Sequence, residues 1–153
     1  MDKLLALRTK LLAVVKKAAW LGPLLARLAV GVTFAVTGWG KLHDLDKVTG
    51  FFTELHIPMP HLNAIVVGCT EFFGGLALIL GLGARLASIP LAISMVVAIL
   101  TAKLGDAHSV ADVLGFDETL YVAIFVWILV AGPGAASVDA LLARRLGRKA
   151  PGA

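Results

Sequence analysis

The chain contains a single cysteine, Cys69, so it has no pair of thiols from which to form an internal disulfide. It also lacks CxxC and CxxCH motifs, which argues against thiol–disulfide chemistry and against c-type haem attachment. We find no phosphate-binding glycine loop, no nucleophile–base motif and no nucleic-acid motif. Because Cys69 lies in an apolar run, we interpret it as a small packing residue.

Charged residues are scarce as well. They make up 16% of the chain, whereas 59% of the residues are hydrophobic and the mean hydropathy is +0.91. A soluble domain has roughly 45–50% apolar residues. The third of four apolar blocks has no charge between Arg85 and Lys103, so it lacks the polar face of a soluble bundle helix. The blocks are residues 20–40, 61–82, 86–102 and 119–136.

A helix that crosses a bilayer needs about 20 apolar residues, so these blocks predict an all-α integral membrane four-helix bundle over 20–137. Residues 1–19 form a basic amphipathic segment, and 138–153 form a basic tail. We expect residues 2–18 to be a helix on the membrane surface. The alternative is an unstructured basic tail. A signal peptide has one short basic region followed by an apolar core, whereas here the basic residues recur as far as Lys17 and Arg27 follows.

The cations are distributed unevenly between the two sides that four spans create. Ten flank the termini and the second connection, and three flank the other two connections. By the positive-inside rule, both termini then face the cytoplasm. The ten are Lys3, Arg8, Lys10, Lys16, Lys17, Arg85, Arg144, Arg145, Arg148 and Lys149, and the three are Lys41, Lys47 and Lys103.

The first outer connection carries the segment 46–57, for which we predict a short helix lying on the membrane. In this interpretation Phe51, Phe52 and Leu55 turn toward the lipid. Pro58 and Pro60 end the helix and lead the chain into the second span.

Glu71 lies inside the second span, where an ionised side chain costs about 2.5–3.5 kcal/mol at the bilayer centre on insertion scales. Such residues face a bundle interior or a wet cavity, and they usually have a partner. Side chains on a helix lean toward its N-terminus. Glu71 therefore leans outward, whereas Lys41 at the outer end of the first span leans inward toward it.

We predict a polar cluster of Glu71 with Lys41, joined by Lys103 or His43, as a candidate ligand site in the outer half of the bundle. Arg27 leans toward the opposite surface. There we expect it near headgroups, tail carbonyls or Asp139, together with Arg85 as inner-face charges. The alternative interpretation is that these charges only fix the register of the helices.

All four histidines, His43, His56, His61 and His108, fall at or beside the outer side. No two of them are spaced i, i+4 on a predicted span. Metal or haem ligation is therefore the weaker interpretation, and ordinary interfacial histidines are the stronger one. His61 is the best metal candidate because it opens the second span.

Four segments together resemble the DoxX family of small membrane proteins. They are RLAVGVTFAVTGWGKL at 27–42, GFFTELHIPMP at 50–60, EFFGGLALILGLGARLA at 71–87 and AGPGAASVDALL at 131–142. The resemblance implies a four-span subunit of the bacterial cytoplasmic membrane that is tied to redox complexes. The family takes its name from a subunit of a thiosulfate:quinone oxidoreductase. Arg27, Lys41, Glu71 and Arg85 correspond to residues that recur in its motifs.

The residues and the resemblance leave three functions open. The first is a quinone-linked or oxidative-stress redox subunit, in which Lys41 or His43 donates to a quinone carbonyl and Glu71 relays a proton. The second is a non-catalytic scaffold that docks a soluble redox partner. The third, a small-solute carrier, is disfavoured because the chain shows no internal repeat. Quinone is the favoured cofactor over haem, and a homo-oligomer would suit a subunit this small.

Overall fold

Helices account for the architecture throughout the computed structural model, which describes residues 2–147. The all-α prediction is confirmed, since this range contains eight α-helices and no strand. The last residues of the predicted basic tail, including Arg148 and Lys149, lie outside the described residues. The helices are α1 (Asp2–Ala18), α2 (Leu21–His43), α3 (Leu45–Glu54), α4 (Pro60–Leu80), α5 (Ala84–Ala98), α6 (Val110–Gly115), α7 (Asp117–Ala131) and α8 (Val138–Arg145).

Three helical segments in the described range are long and apolar enough to cross a membrane. They are Leu21–His43, Pro60–Leu80 and Ala84–Asp106, the last of which joins α5 to a π turn and a 3₁₀ turn. The prediction of membrane-spanning helices is therefore confirmed. The fourth predicted span corresponds to α7, whose 15 residues extend for about 22 Å at 1.5 Å per residue. It ends at Ala131 and is capped by Gly132, which has a φ of +90° and is followed by Pro133.

Helices α2 and α4 pack antiparallel, with glycines on both sides of the contact. A Cβ placed on Gly38 would collide with the backbone of Phe72 and Gly68, and one on Gly75 would collide with the backbone of Ala35 and Gly31. Side chains are thus excluded where the two helices cross. Small residues allow membrane helices this close approach, which aligns side chains along the rest of the interface.

Helices α5 and α7 also run antiparallel and form a second helix pair beside α2 and α4. Arg85 at the start of α5 donates to the Val130 carbonyl near the end of α7. At the opposite end, Lys103 lies beside Glu118. Aromatic packing joins this pair of helices to α2, since the Phe34 ring meets the edges of Tyr121 and Phe125 at centroid distances of 5.1 and 5.0 Å.

The helix ends form two faces. The loop face carries α3, α6, the end of α2 and the starts of α4 and α7. The terminal face carries the end of α4, the start of α5 and the start of α8. The α4–α5 turn there needs glycine, because Gly81 and Gly83 have φ values of +67° and +58°.

Helix α3 lies across the start of α4 on the loop face and corrects one expectation. Phe51 is exposed as predicted, but Phe52 is turned inward and is 9% exposed. Two adjacent residues on a helix are about 100° apart, so a helix lying on the bundle cannot present both rings to lipid. The Asp44 carboxylate accepts from the Lys47 backbone N–H and caps the helix.

Candidate functional site

Glu71 is buried in the middle of α4, at 2% exposure, and forms an ion pair with Lys41. The Lys41 Nζ lies 2.5 Å from Glu71 Oε2, and the lysine side chain is 30% exposed. The pair joins a carboxylate buried among the helices to a cation whose stem descends from the loop-face end of α2. A buried charge held this way avoids most of the cost of standing alone in an apolar medium.

The packing of α2 against α4 brings these two side chains together. Lys41 lies one turn beyond Gly38, the residue at which the α4 backbone comes closest, and its Cβ passes near Gly68. Glu71 lies about one turn deeper in α4. Because side chains lean toward the N-terminus of their own helix, the lysine descends and the glutamate rises until they meet.

Thr37 is the third member of this group. Its Oγ1 lies 3.1 Å from Glu71 Oε2 and 3.2 Å from the Phe34 carbonyl oxygen, and its one proton is available to either acceptor. Lys41 and Thr37 therefore both approach Oε2. Within residues 2–147 the structure gives the other oxygen, Oε1, no hydrogen-bond partner. One carboxylate oxygen is thus left to accept from a bound molecule.

A polar cavity of about 200 Å³ opens beside the pair, between α2, α4, α5 and α7. Phe34 and Met95 contribute its apolar wall. Its remaining walls bring hydroxyl groups and charged side chains from three helices into one space. These are Thr33, Thr37, Lys41, Glu71, Glu118 and Tyr121.

A second cavity, of about 320 Å³, lies between the end of α2 and α3. It is mainly apolar, with Val48, Phe51 and Phe52 on one side, and Asp44 and Lys47 at its edge. Lys41 lines both cavities. Lys41 therefore lies between an apolar cavity on the α3 side and a polar cavity on the α7 side, and Glu71 lines only the polar one.

The other two residues of the predicted cluster lie away from Glu71. His43 is exposed, its Nδ1 is 2.9 Å from the Trp39 carbonyl oxygen and its ring contacts the Trp39 ring at a tilt of 44°. Lys103 Nζ is 3.9 Å from Glu118 Oε1. Helix geometry explains the positions of both side chains. His43 is two residues beyond Lys41 on α2, about 200° around the helix, and Lys103 is carried toward α7 by the π turn.

The predicted inner-face charges meet at the terminal face, where Arg27 is fully buried. Its guanidinium donates to the Leu78 carbonyl at 3.1 Å and to the Ala136 carbonyl at 2.5 Å. It therefore joins the carboxyl end of α4 to the segment that follows α7. A cation is favourable at a helix carboxyl end, where the last carbonyls have no partner within the helix. The buried Nε of Arg27 has no hydrogen-bond partner among the residues that the structure describes.

Asp139 and Arg85 complete this face with contacts to backbone groups. The Asp139 carboxylate accepts from the Gly83 N–H at 2.8 Å and the Ala84 N–H at 3.3 Å, and so caps α5. Ser137 caps α8 by accepting from the Ala140 N–H. These contacts pin the start of α8 to the α4–α5 turn. The role of this face in the described structure is to hold helix ends together.

Within residues 2–147, no three histidine, cysteine, aspartate or glutamate residues lie close enough together to hold an ion. His61 instead has Nδ1 3.3 Å from Thr49 Oγ1, which links the start of α4 to α3.

Sequence reasoning missed Thr37, Glu118 and Tyr121. Thr37 had a usable signal, because it precedes Lys41 by four residues on the same helix and must share its face. Glu118 and Tyr121 had none, since their place beside Glu71 depends on how α7 packs against α2.

Comparison with known proteins decides the family. The DoxX family model matches residues 22–104, more than half of the chain, and covers the helices that carry Arg27, Lys41, Glu71 and Arg85. The chain belongs to the DoxX family. No solved structure matches this DoxX protein.

Its relatives include bacterial inner membrane proteins. YphA of Escherichia coli is 30% identical over 125 residues, covering 76% of this chain and 86% of YphA. YqjF of Escherichia coli is 29% identical over 133 residues, covering 85% of this chain and 98% of YqjF. Both are named inner membrane proteins. With its spanning helices, this DoxX protein is a multi-pass protein of the bacterial inner membrane.

One relative carries a name that concerns function. CatD of Bacillus subtilis, provisionally named an oxidoreductase, is 32% identical over 84 residues, covering 55% of this chain. The chain spans 61% of the length of CatD.

Proposed function

We propose that the DoxX protein is a four-span membrane subunit of an oxidoreductase system and that it binds a quinone headgroup beside the Lys41–Glu71 pair. The ion pair carries the proposal. Its lysine borders an apolar cavity large enough for a single ring, and both of its residues line the polar cavity on the other side of that lysine. The name of CatD lends independent support to a redox role.

The chemistry of the pair suits a quinone. Reduction of a quinone to a quinol takes two electrons and two protons, and charge develops on the carbonyl oxygens. A lysine ammonium beside one carbonyl stabilises that charge, and a carboxylate nearby exchanges protons with it. Phe51, Phe52 and Val48 supply an apolar surface for the ring. Electrons would come from a partner oxidoreductase, since the chain carries no motif for a redox cofactor of its own.

The four-span topology belongs to this proposal. Helix α7 has no charge from Leu120 to Ala131 and packs antiparallel on α5, as a fourth span would. Short spans are accommodated by local thinning of the bilayer. Both termini then lie on the terminal face, which we place in the cytoplasm because it carries most of the cations.

Helix α1 fits the same orientation as a surface helix. Leu4, Leu7, Leu11 and Val14 are all more than half exposed and share one side of the helix at i, i+3 and i+4 spacings. Lys10 and Lys17 lie along one edge of this stripe, and Lys16 lies on the opposite side of the helix. An amphipathic basic helix of this kind lies in the interface of an anionic leaflet.

Quinone titration of the purified protein tests the proposal. We expect Lys41→Met and Glu71→Gln to lose quinone from the lipid extract and to weaken binding at least about tenfold, the loss of one charge-assisted contact. The matched controls, Lys10→Met on α1 and Glu54→Gln on α3, remove the same charges at residues that line neither cavity and should bind as the wild type does. Equal binding by all four variants contradicts the proposal.

A scaffold that only docks a redox partner is the second candidate, because α1 and α8 offer exposed basic side chains on the terminal face. The scaffold function predicts that crosslinking captures a partner equally well with Glu71→Gln and with the wild type, and that the lipid extract of neither protein contains quinone.

A further inference from the structure

The polar cavity contains two carboxylates from different helices, and the proposed function uses only one of them. Glu71 lies on α4, with a side chain 3% exposed. Glu118 lies in the first turn of α7, with a side chain 20% exposed. The cavity therefore has a deep acid at the ion pair and a shallow acid at the loop face.

Lys103 stands at the mouth of this cavity. Its side chain is 45% exposed, and its Nζ is 3.9 Å from Glu118 Oε1, beyond hydrogen-bond distance. A pair this long and this exposed is weak and leaves the carboxylate free to take a proton. The π turn Ile99–Lys103 sets the direction of the lysine, and such turns occur frequently at functional sites.

The remaining groups that face the two acids can carry protons between them. Tyr121 on α7 and Thr37 on α2 supply hydroxyls, and Lys41 supplies the third charge in the cavity. A space of about 200 Å³ has room for several water molecules, each needing only a small part of that volume. Glu71 Oε1 is the end of this route, because Oε2 is occupied by Lys41 and Thr37.

We infer that the polar cavity is an aqueous vestibule through which Glu118 exchanges protons between the loop-face solution and Glu71. A proton from water binds the Glu118 carboxylate, passes through water in the cavity to the Glu71 carboxylate, and leaves Glu118 ionised again. The inference rests on the proposed function for its purpose, since quinone reduction consumes the protons that arrive. It does not need quinone to be observed.

Thiol labelling tests whether the vestibule is wet. In a Cys69→Ala background, Thr37→Cys places a thiol on the cavity wall, and Val36→Cys places one at the same depth on the outer surface of α2, where residue 36 is 66% exposed. A small, water-soluble, membrane-impermeant thiol reagent is added from the loop-face side of proteoliposomes. We expect Thr37→Cys to react at least about tenfold faster, because only ionised, hydrated thiols react. Equal rates overturn the vestibule.

Time-resolved infrared spectroscopy tests the role of Glu118. Rapid acidification protonates carboxylates, and the band that Glu71→Gln removes identifies Glu71. We expect Glu118→Gln to slow the appearance of that band at least about tenfold, as loss of a proton-transfer group does. The control is Asp117→Asn, which removes the adjacent exposed acid that does not line the cavity. If Glu118→Gln and Asp117→Asn both match the wild type, Glu118 is not the exchange residue.

Neither measurement contains quinone, so the two proposals fail separately. A dry cavity with intact quinone binding overturns only the vestibule. A wet cavity in a protein that binds no quinone overturns only the proposed function.

Discussion

The contact between α2 and α4 should be far less tolerant of a methyl group at Gly38 than at Gly40, two residues further along the same helix. A Cβ at Gly38 would meet the backbone of Phe72 and Gly68, which cannot rotate away. At Gly40 no heavy atom outside its own helical turn lies within 4 Å of the new Cβ. Comparing Gly38→Ala with Gly40→Ala therefore separates the steric cost of the added methyl group from its effect on helix propensity.

The magnitude follows from two effects. Replacing glycine by alanine in a helix is favourable by about 0.5–1 kcal/mol, and this gain is common to both variants. Forcing extra volume into a packed interface costs about 1–3 kcal/mol, and only Gly38→Ala pays it. The free energy of unfolding should therefore differ between the two variants by about 1–3 kcal/mol, with Gly38→Ala the less stable.

Equilibrium unfolding in mixed detergent micelles measures this difference, with circular dichroism as the probe. Gly38→Ala should also disturb the Lys41–Glu71 pair one turn away, so its quinone binding should fall with its stability. Equal stabilities of Gly38→Ala and Gly40→Ala would refute the close backbone contact between α2 and α4.

Three further predictions concern the helix ends. Arg27→Lys keeps the charge but cannot reach both Leu78 and Ala136, so the same unfolding assay should show a loss of about 1.5–3 kcal/mol, one charge-assisted hydrogen bond; unchanged stability would contradict this. Asp139→Asn leaves one acceptor for the Gly83 and Ala84 N–H groups, so hydrogen exchange at those two amides should accelerate, whereas the amides at the start of α6 serve as the unaffected control. The pKa of Asp112 is lowered below its usual value by hydrogen bonds from the backbone N–H of His108 and from the hydroxyl and N–H of Ser109. The ionised carboxylate therefore stabilises the folded cap of α6. That contribution is complete above the usual aspartate pKa of about 3.9 and is lost as pH falls through the lowered pKa of Asp112. Exchange of the α6 amides should accelerate in that acidic window in the wild type, and an Asp112→Asn variant should show no such step.

Much of the fold was readable from the chain because apolar blocks without charges have few alternatives to a membrane helix. The ends of the predicted second span, 61–82, lie within two residues of the ends of the helix Pro60–Leu80. Proline at the first position of a helix and glycine just after its last residue are signals that can be recognised in the sequence. The fourth block was harder to place. Its apolar pattern continues into Gly132 and Pro133, whereas the helix stops at Ala131 because Gly132 adopts a positive φ.

The site was partly readable for a different reason. Lys41 and Glu71 could be related by depth and by the lean of helical side chains, which are local properties. His43 and Lys103 could not be placed that way, because rotation about the helix axis and the π turn decide where they point. Phe52, Glu118 and Tyr121 take their roles from tertiary packing, which periodicity does not encode.

Photoaffinity mapping of a quinone is the most direct test of the site. A photoreactive short-chain quinone, activated in the bilayer and followed by mass spectrometry, should attach within the segment 40–52, which contains all the residues that line the apolar cavity. Excess unlabelled quinone should abolish these adducts. Adducts spread over lipid-facing residues such as Val36 and Leu86, and unaffected by competitor, would show that no quinone site exists at the Lys41–Glu71 pair.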